Sequence, residues 1–98
     1  MAFISIVELK IKPDKIEEAK VALNGILKES RAFDGCISID VLIDKADPGH
    51  WTMYEQWESE QHSTAYSEYR AGPGATTAMA GLVEGPPRPT KYALDPTI

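Results

Sequence analysis

The first twelve residues restrict the fold more than any other part of the chain. From Ala2 to Lys12 the side chains alternate, with Phe3, Ser5, Val7, Leu9 and Ile11 on one face and Ile4, Ile6, Glu8 and Lys10 on the other, which is the period of a β-strand. Both faces begin apolar, so the early half of this strand has to be covered on both sides. A sheet with helices outside and a lined space inside meets that need. A chain of 98 residues is one domain, and at this size it buries only about 60–65% of the surface its unfolded form exposes, so a partner subunit would help it.

The remaining chain alternates between the two periods. Pro13 and Asp14 open a helix, with Asp14 and Glu17 at the spacing of a capping box. Ile16, Ala19, Leu23, Ile26 and Leu27 then form an apolar stripe opposite Lys15, Glu17, Glu18, Lys20 and Glu29, and Gly25 weakens the helix slightly. Phe33, Asp34 and Gly35 make a turn into a second strand, Cys36 to Lys45, with Ile37, Ile39, Val41 and Ile43 on one face. Asp47-Pro48-Gly49 is a turn leading to a third strand, His50 to Glu58, so the two strands form a hairpin on which Met53, Glu55 and Trp57 share a face. Ser59 caps a second helix with His62, Ala65 or Tyr66, and Tyr69 on one stripe, and Gly72-Pro73-Gly74 ends it. A short helix is expected from about Ala75 to Leu82. The prolines of Gly85 to Pro89 exclude a central strand, but Thr90 to Leu94 fits an edge or exchanged one. The order β-α-β-β-α-(α)-β is that of a ferredoxin-like, split βαβ domain of the α+β class.

Fifteen acids against ten lysines and arginines give a formal charge of −5, and no stretch mixes basic with aromatic residues, so a nucleic-acid backbone would be repelled. No apolar run approaches the roughly 20 residues that span a bilayer, and the chain opens directly into its strand instead of a basic and then apolar leader. These features predict a cytoplasmic protein that binds neither nucleic acid nor membrane. Cys36 has no cysteine partner, which fits a reducing compartment, and behind its glycine turn it is expected to pack and not to react. The chain contains no G-x-x-x-x-G-K-S/T, G-x-G-x-x-G or G-x-S-x-G, so phosphate cradles, dinucleotide folds and a hydrolase elbow lack support. His50 and His62 lie on different elements without a cysteine pair, and no metal or other cofactor is expected.

The segments KPDKIEEAK, ESRAFDGCISIDVLIDKADPGHWTMYEQWES and GPPRPTKY, spread over nearly the whole chain, resemble the antibiotic biosynthesis monooxygenase family. The most specific parts are Asp34-Gly35-Cys36 and Glu55-x-Trp57-Glu58. The resemblance implies a four-stranded antiparallel sheet per subunit, two sheets closing into a dimeric α+β barrel, and a C-terminal segment reaching over the partner. Residues 1–98 are then one domain, with 83–98 as the arm of a homodimer. The resemblance further implies cofactor-independent oxidation of a quinol, an anthrone or a similar aromatic phenol by dioxygen. The alternative is a non-catalytic, small-molecule-binding or stress-related dimer, since the barrel is a scaffold with many uses. The haem-degrading branch of the superfamily fits less well, because Tyr66 and Ser67 stand where its axial histidine belongs and Ser5 and Val7 where it carries an asparagine.

Within that reading, Trp57 offers a flat apolar wall and one N–H donor, and the matching family residue often lines the pocket; a core tryptophan under the second helix is the plainer role. Tyr66 replaces a histidine found in many relatives and is a far weaker base near neutral pH, suited to bonding a phenolic or quinoid oxygen or simply to packing. His62, one turn earlier, has a pKa suited to proton transfer, though a lone helical histidine is more often structural. Glu55 points to the face of Trp57, where a carboxylate in apolar surroundings must be paired, with Arg31 or a lysine at the barrel rim, or have a raised pKa and serve as a base. The expected site is therefore His62, Tyr66 and Glu55 for proton transfer, with Trp57, Met53, Tyr54 and Tyr69 holding an aromatic substrate. An electron-rich phenolate or carbanion reduces dioxygen itself, so the protein needs only to bind the ring, take a proton, exclude water and steady an oxyanion. A sizeable apolar pocket with converging polar groups would favour the enzyme, and side chains filling the space would favour the binding module.

Overall fold

The computed structural model describes residues 2–98. Its elements are β1 (Phe3–Lys10), α1 (Ile16–Arg31), β2 (Cys36–Ile43), β3 (His50–Trp57), α2 (Glu60–Ala71) and β4 (Arg88–Ala93). The strands make one antiparallel sheet in the order β2-β3-β1-β4, which leaves β2 and β4 at the edges. The α+β architecture and the split βαβ order are those the residue pattern predicts.

The register of β1 against β3 decides what lies under the helices. Phe3 stands opposite Trp57, Ser5 opposite Glu55, Val7 opposite Met53 and Leu9 opposite Trp51. Because side chains alternate across a strand, all eight share one face, and both helices pack there. The α1 stripe of Ala19, Leu23 and Leu27 closes with Leu9, Ile11, Ile39 and Trp51 into the main core. At about 25 cal/mol per Å² of apolar surface, each such large side chain contributes roughly 1.5–3 kcal/mol when fully buried. The other face carries Ile4, Ile6, Leu42, Tyr54 and Tyr92 and has no helix over it, leaving Leu42 52% and Tyr92 48% exposed. At one end of this face His50 sits between Asp44 and Glu8, at 3.1 and 2.8 Å, and these two acceptors raise its pKa.

Four local expectations need correction. The capping box does not form: α1 begins at Ile16 behind Lys15, whose side chain makes no capping bond. Lys15 N–H instead donates to Lys12 C=O in a turn, and Glu17 and Glu18 in the first turn with Lys28 and Arg31 in the last complement the helix dipole. A bulge between Cys36 and Ser38 puts Ile37 out of the ladder and leaves it 53% exposed, so β2 does not alternate from its first residue. The segment 75–82 forms only separate turns, closed by Ala80 N–H to Thr77 C=O and Leu82 N–H to Met79 C=O, because so short a stretch cannot offset helix nucleation. The last strand starts at Arg88, before Thr90, and admits Pro89 because it lies at the sheet edge.

The 83–98 segment is tied to β1 of its own chain over much of its length. Lys12 N–H bonds Leu82 C=O, Glu84 N–H bonds Lys10 C=O, and β4 then pairs with β1 from Glu8↔Arg88 to Phe3↔Ala93. Leu94 and Ile98 beyond it are exposed. No helix among the described residues is long and apolar enough to cross a membrane.

Ser59 is the N-cap of α2, accepting from His62 N–H at 3.2 Å. Replacing it with alanine is expected to cost about 1 kcal/mol of stability in a urea titration, with α2 opening first in hydrogen exchange.

Candidate functional site

Between the sheet and α2 the chain builds an aromatic cluster. Trp57 is fully buried, with the Tyr66 ring 4.9 Å away and tilted by 31°, while Phe33 meets Trp57 edge-on at 6.3 Å and Tyr66 at 5.2 Å. Tyr69 joins from the next turn of α2, 5.3 Å from Phe33. Phe33 is there because the turn between α1 and β2 folds it inward, and Gly35, at φ 85°, completes that turn. A Cβ at Gly35 would sit 2.2 Å from the His62 ring, so only glycine permits this approach.

Tyr66 ends in a closed hydrogen-bond network. Its hydroxyl lies 2.5 Å from Ser30 Oγ and accepts from Arg70 Nε at 3.0 Å. Arg70 also donates to Ser30 Oγ and Ile26 C=O through Nη2, and to Glu29 Oε1 and Gly74 C=O through Nη1. A guanidinium has five N–H donors, and every one is used within the chain. Burial works against the charge of Arg70, yet its bonds to Tyr66 and Glu29 outweigh that and raise its pKa. Glu29 likewise raises the pKa of Tyr69. The open cleft of about 520 Å³ between α1 and the 73–78 segment, with Val21, Ile26 and Glu29 on one wall and Tyr69 and Gly74 on the other, thus has a cation in its wall that is already saturated.

A second polar group crosses the sheet in one row. Ser5 pairs with Glu55 on one side and with Lys91 on the other, which puts the three side chains on the helix-covered face. Glu55 is only 5% exposed and accepts from Trp57 Nε1 at 3.1 Å. Its pKa is raised by burial, against the opposing effects of the Trp57 hydrogen bond and the positive charge of Lys91. Lys91 reaches from β4 to α2, donating to Ser63 Oγ and Ser67 Oγ at 2.8 Å each. Ser5 and Ser63 are both buried. Neighbouring Cys36 is held as a thiol by burial and then by the charge of Glu55, against the pull of Arg31.

The residues singled out by sequence therefore divide. Glu55, Trp57, Tyr66 and Tyr69 lie together under or on α2, and Met53 shares their face beside the main core. Tyr54 points to the opposite face of the sheet, opposite Ile6 and Asp40, away from Trp57. His62 belongs to another corner: its Nδ1 is 2.7 Å from Ser59 Oγ and its Nε2 3.7 Å from Asp34. Asp34, Glu58 and His62 offer atoms within 4.8 Å of one another, but both carboxylates are exposed, and only Asp34 pairs with the imidazole. Arg31 does not pair with Glu55; it donates to Ile39 C=O at 3.2 and 2.8 Å. Lys91, Ser63, Ser67 and Arg70 escaped the sequence reading. Ser5, a lone hydroxyl on an apolar face, was the one available signal.

The sequence profile described as antibiotic biosynthesis monooxygenase matches residues 2–79. Among solved structures, a Deinococcus radiodurans protein provisionally described as an antibiotic biosynthesis monooxygenase is 26% identical, with a TM-score of 0.80, covering 98% of this chain and 95% of that one. A Nitrosomonas europaea protein described in the same way is 24% identical at a TM-score of 0.81, over 97% of this chain and 92% of that one. A conserved protein from Methanosarcina mazei, 18% identical at a TM-score of 0.81 over 94% and 91% of the two chains, shares the fold. No match is found among the curated proteins.

Two outcomes follow from this geometry. Arg70→Met should lose about 2–3 kcal/mol in a urea titration, because Ser30, Tyr66 and two backbone carbonyls are left without their donor. For Glu55 the folded pKa lies above the ordinary 4.5, so its stabilising contribution is complete below that value and is lost as the pH rises through the folded pKa. Glu55→Gln should accordingly hold its stability better than the wild type as the pH is raised from about 5 to about 8.

Proposed function

Because the chain belongs to the antibiotic biosynthesis monooxygenase family, we propose that it is a cofactor-independent monooxygenase that oxidises a quinol, an anthrone or a similar aromatic phenol with dioxygen, using Glu55 as its base. The observation that carries this reading is the buried carboxylate itself. An ionisable group held out of water costs stability unless it is fully paired, so its presence here marks a candidate for function, and burial lifts its pKa above that of an ordinary glutamate, which makes it the stronger base. Lys91 in the same row supplies a positive charge where a substrate oxyanion would develop, and Trp57 supplies a flat wall for the ring.

The chemistry balances without a cofactor. Glu55 takes a proton from the phenol hydroxyl or the anthrone methylene, and the resulting anion gives its electrons to dioxygen. For an anthrone, one oxygen atom becomes the new carbonyl and the other leaves as water with the two methylene hydrogens; for a phenol or quinol with a free ring position, one oxygen atom replaces the ring hydrogen and the other leaves as water with that hydrogen and the hydroxyl proton. His62 and Tyr66 are second choices for proton transfer, since His62 faces Asp34 and the Tyr66 hydroxyl is engaged by Ser30 and Arg70. The non-catalytic dimer remains the second reading, and one observation favours it: Trp57 is fully enclosed by its own chain, and the large cleft beside α1 does not reach it.

The same proposal includes a homodimer. Two sheets meeting through Ile4, Ile6, Leu42, Tyr54 and Tyr92 would cover the apolar face that no helix covers, with the end of the 83–98 segment reaching onto the partner. Sedimentation at micromolar concentration is expected to give twice the chain mass, and Ile6→Glu to give a folded monomer; a wild-type monomer defeats this part.

Oxygen uptake across a panel of quinols and anthrones tests the enzyme. Turnover should fall about 10²–10⁴-fold in Glu55→Gln. Emission quenching by a planar quinone should persist in Trp51→Phe and vanish in Trp57→Phe. No uptake with any substrate, together with normal quenching, selects the binding module.

A further inference from the structure

A different opening lies on the far side of the molecule, where α1 overhangs the edge strand β2. Its floor is Leu23, Leu27, Val41, Ile43 and the Trp51 ring, and Lys20, Asn24 and Arg31 stand around it, enclosing about 200 Å³. The floor is apolar because this is where the main core reaches the surface: β2 has no outer neighbour strand to close it. For scale, an apolar cavity of about 150 Å³ in another protein holds benzene, so the space suits one six-membered ring with a short substituent.

Charge decides the class of ligand. The chain has fifteen acidic residues and ten lysines and arginines, yet the wall of this pocket has no acid and two of the cations. Arg31 is held in place by its bonds from Nε and Nη2 to Ile39 C=O, and neither uses Nη1. Lys20 is tied only to Glu17, at 3.3 Å with both side chains well exposed, a pairing too weak to hold it. Asn24 adds an amide at the mouth. We propose that this pocket binds a small apolar anion, a single-ring aromatic carboxylate, with the ring on the accessible Val41 and Ile43 side chains above the buried Trp51 and the carboxylate between Lys20 and Arg31. It is separate from the Glu55 row and does not depend on turnover there.

The test uses the full-length ¹⁵N-labelled protein titrated with phenylacetate, with phenylacetamide as the neutral control of the same shape. The Trp51 indole N–H, which donates to Pro48 C=O at 2.8 Å, reports on the floor, and the Trp57 indole, bonded to Glu55, serves as internal reference. Saturable shifts are expected at Asn24, Arg31, Val41 and the Trp51 indole, with phenylacetate binding about fivefold more tightly than the amide, the preference that two exposed ion pairs supply. Lys20→Glu, at an exposed position, should remove most of that preference, and Asn24→Trp, also exposed, should block both ligands. The proposal is overturned if acid and amide bind alike, if the Trp57 indole shifts and Trp51 does not, if Asn24→Trp binds normally, or if no saturable shift occurs.

Discussion

The structure depends on the pairing of β1 with both of its neighbours. As an interior strand it fixes β3 on one side and β4 on the other, and a slip of one residue against either would turn a whole row of side chains to the opposite face. With the observed register, Phe3, Ser5, Leu9, Trp51, Glu55 and Trp57 go under the helices, and Ile4, Ile6 and Tyr54 do not. The main core, the aromatic cluster and the Glu55–Ser5–Lys91 row all follow from that one alignment.

The second helix is held by polar chemistry more than by apolar burial. Ser63 is its only fully buried residue, and its anchors are the Arg70 bonds to α1, the Lys91 bonds to Ser63 and Ser67, and the stacking of Tyr66 on Trp57. Hydrogen bonds are directional where apolar contacts are not, so α2 is set at a defined height above Glu55 and Trp57. An arginine with all five donors engaged cannot also recruit an anionic ligand, whereas the Lys91 ammonium, bonded to two neutral hydroxyls, keeps its charge unneutralised beside a buried carboxylate. That contrast is the physical reason for centring the proposed chemistry on Glu55 and not on Tyr66.

In the proposed reading, stability and function pull against each other at Glu55. A glutamine of the same shape would avoid the cost of an ionisable group in a site with one indole donor and a cation across the row. Lys91, moreover, belongs to β4 and lies beyond the 2–79 span that the family profile matches, so the charge facing Glu55 comes from a part of this chain that the profile does not describe.

Much was decided by the order of residues alone. Two-residue alternation marked β1, β2 and β3 and the shared face of Met53, Glu55 and Trp57; three- and four-residue spacing marked α1 and α2; Ser59 and Gly72 marked the limits of α2. These are short-range signals, carried by residues close in sequence. The failures were of two kinds. Asp14, Ile37 and the 75–82 stretch looked regular but were overridden by a turn, a bulge and the cost of nucleating a short helix. Lys91, Arg70 and Ser63 gave no local signal, because their roles exist only once strands and helices many residues apart are aligned: Lys91 meets Glu55's row through Ser5, and Arg70 meets Ser30 from the facing helix. Only the tertiary structure settles such pairings, since a residue's neighbours across a sheet or between helices are set by register and packing, to which its own stretch of sequence contributes just one side.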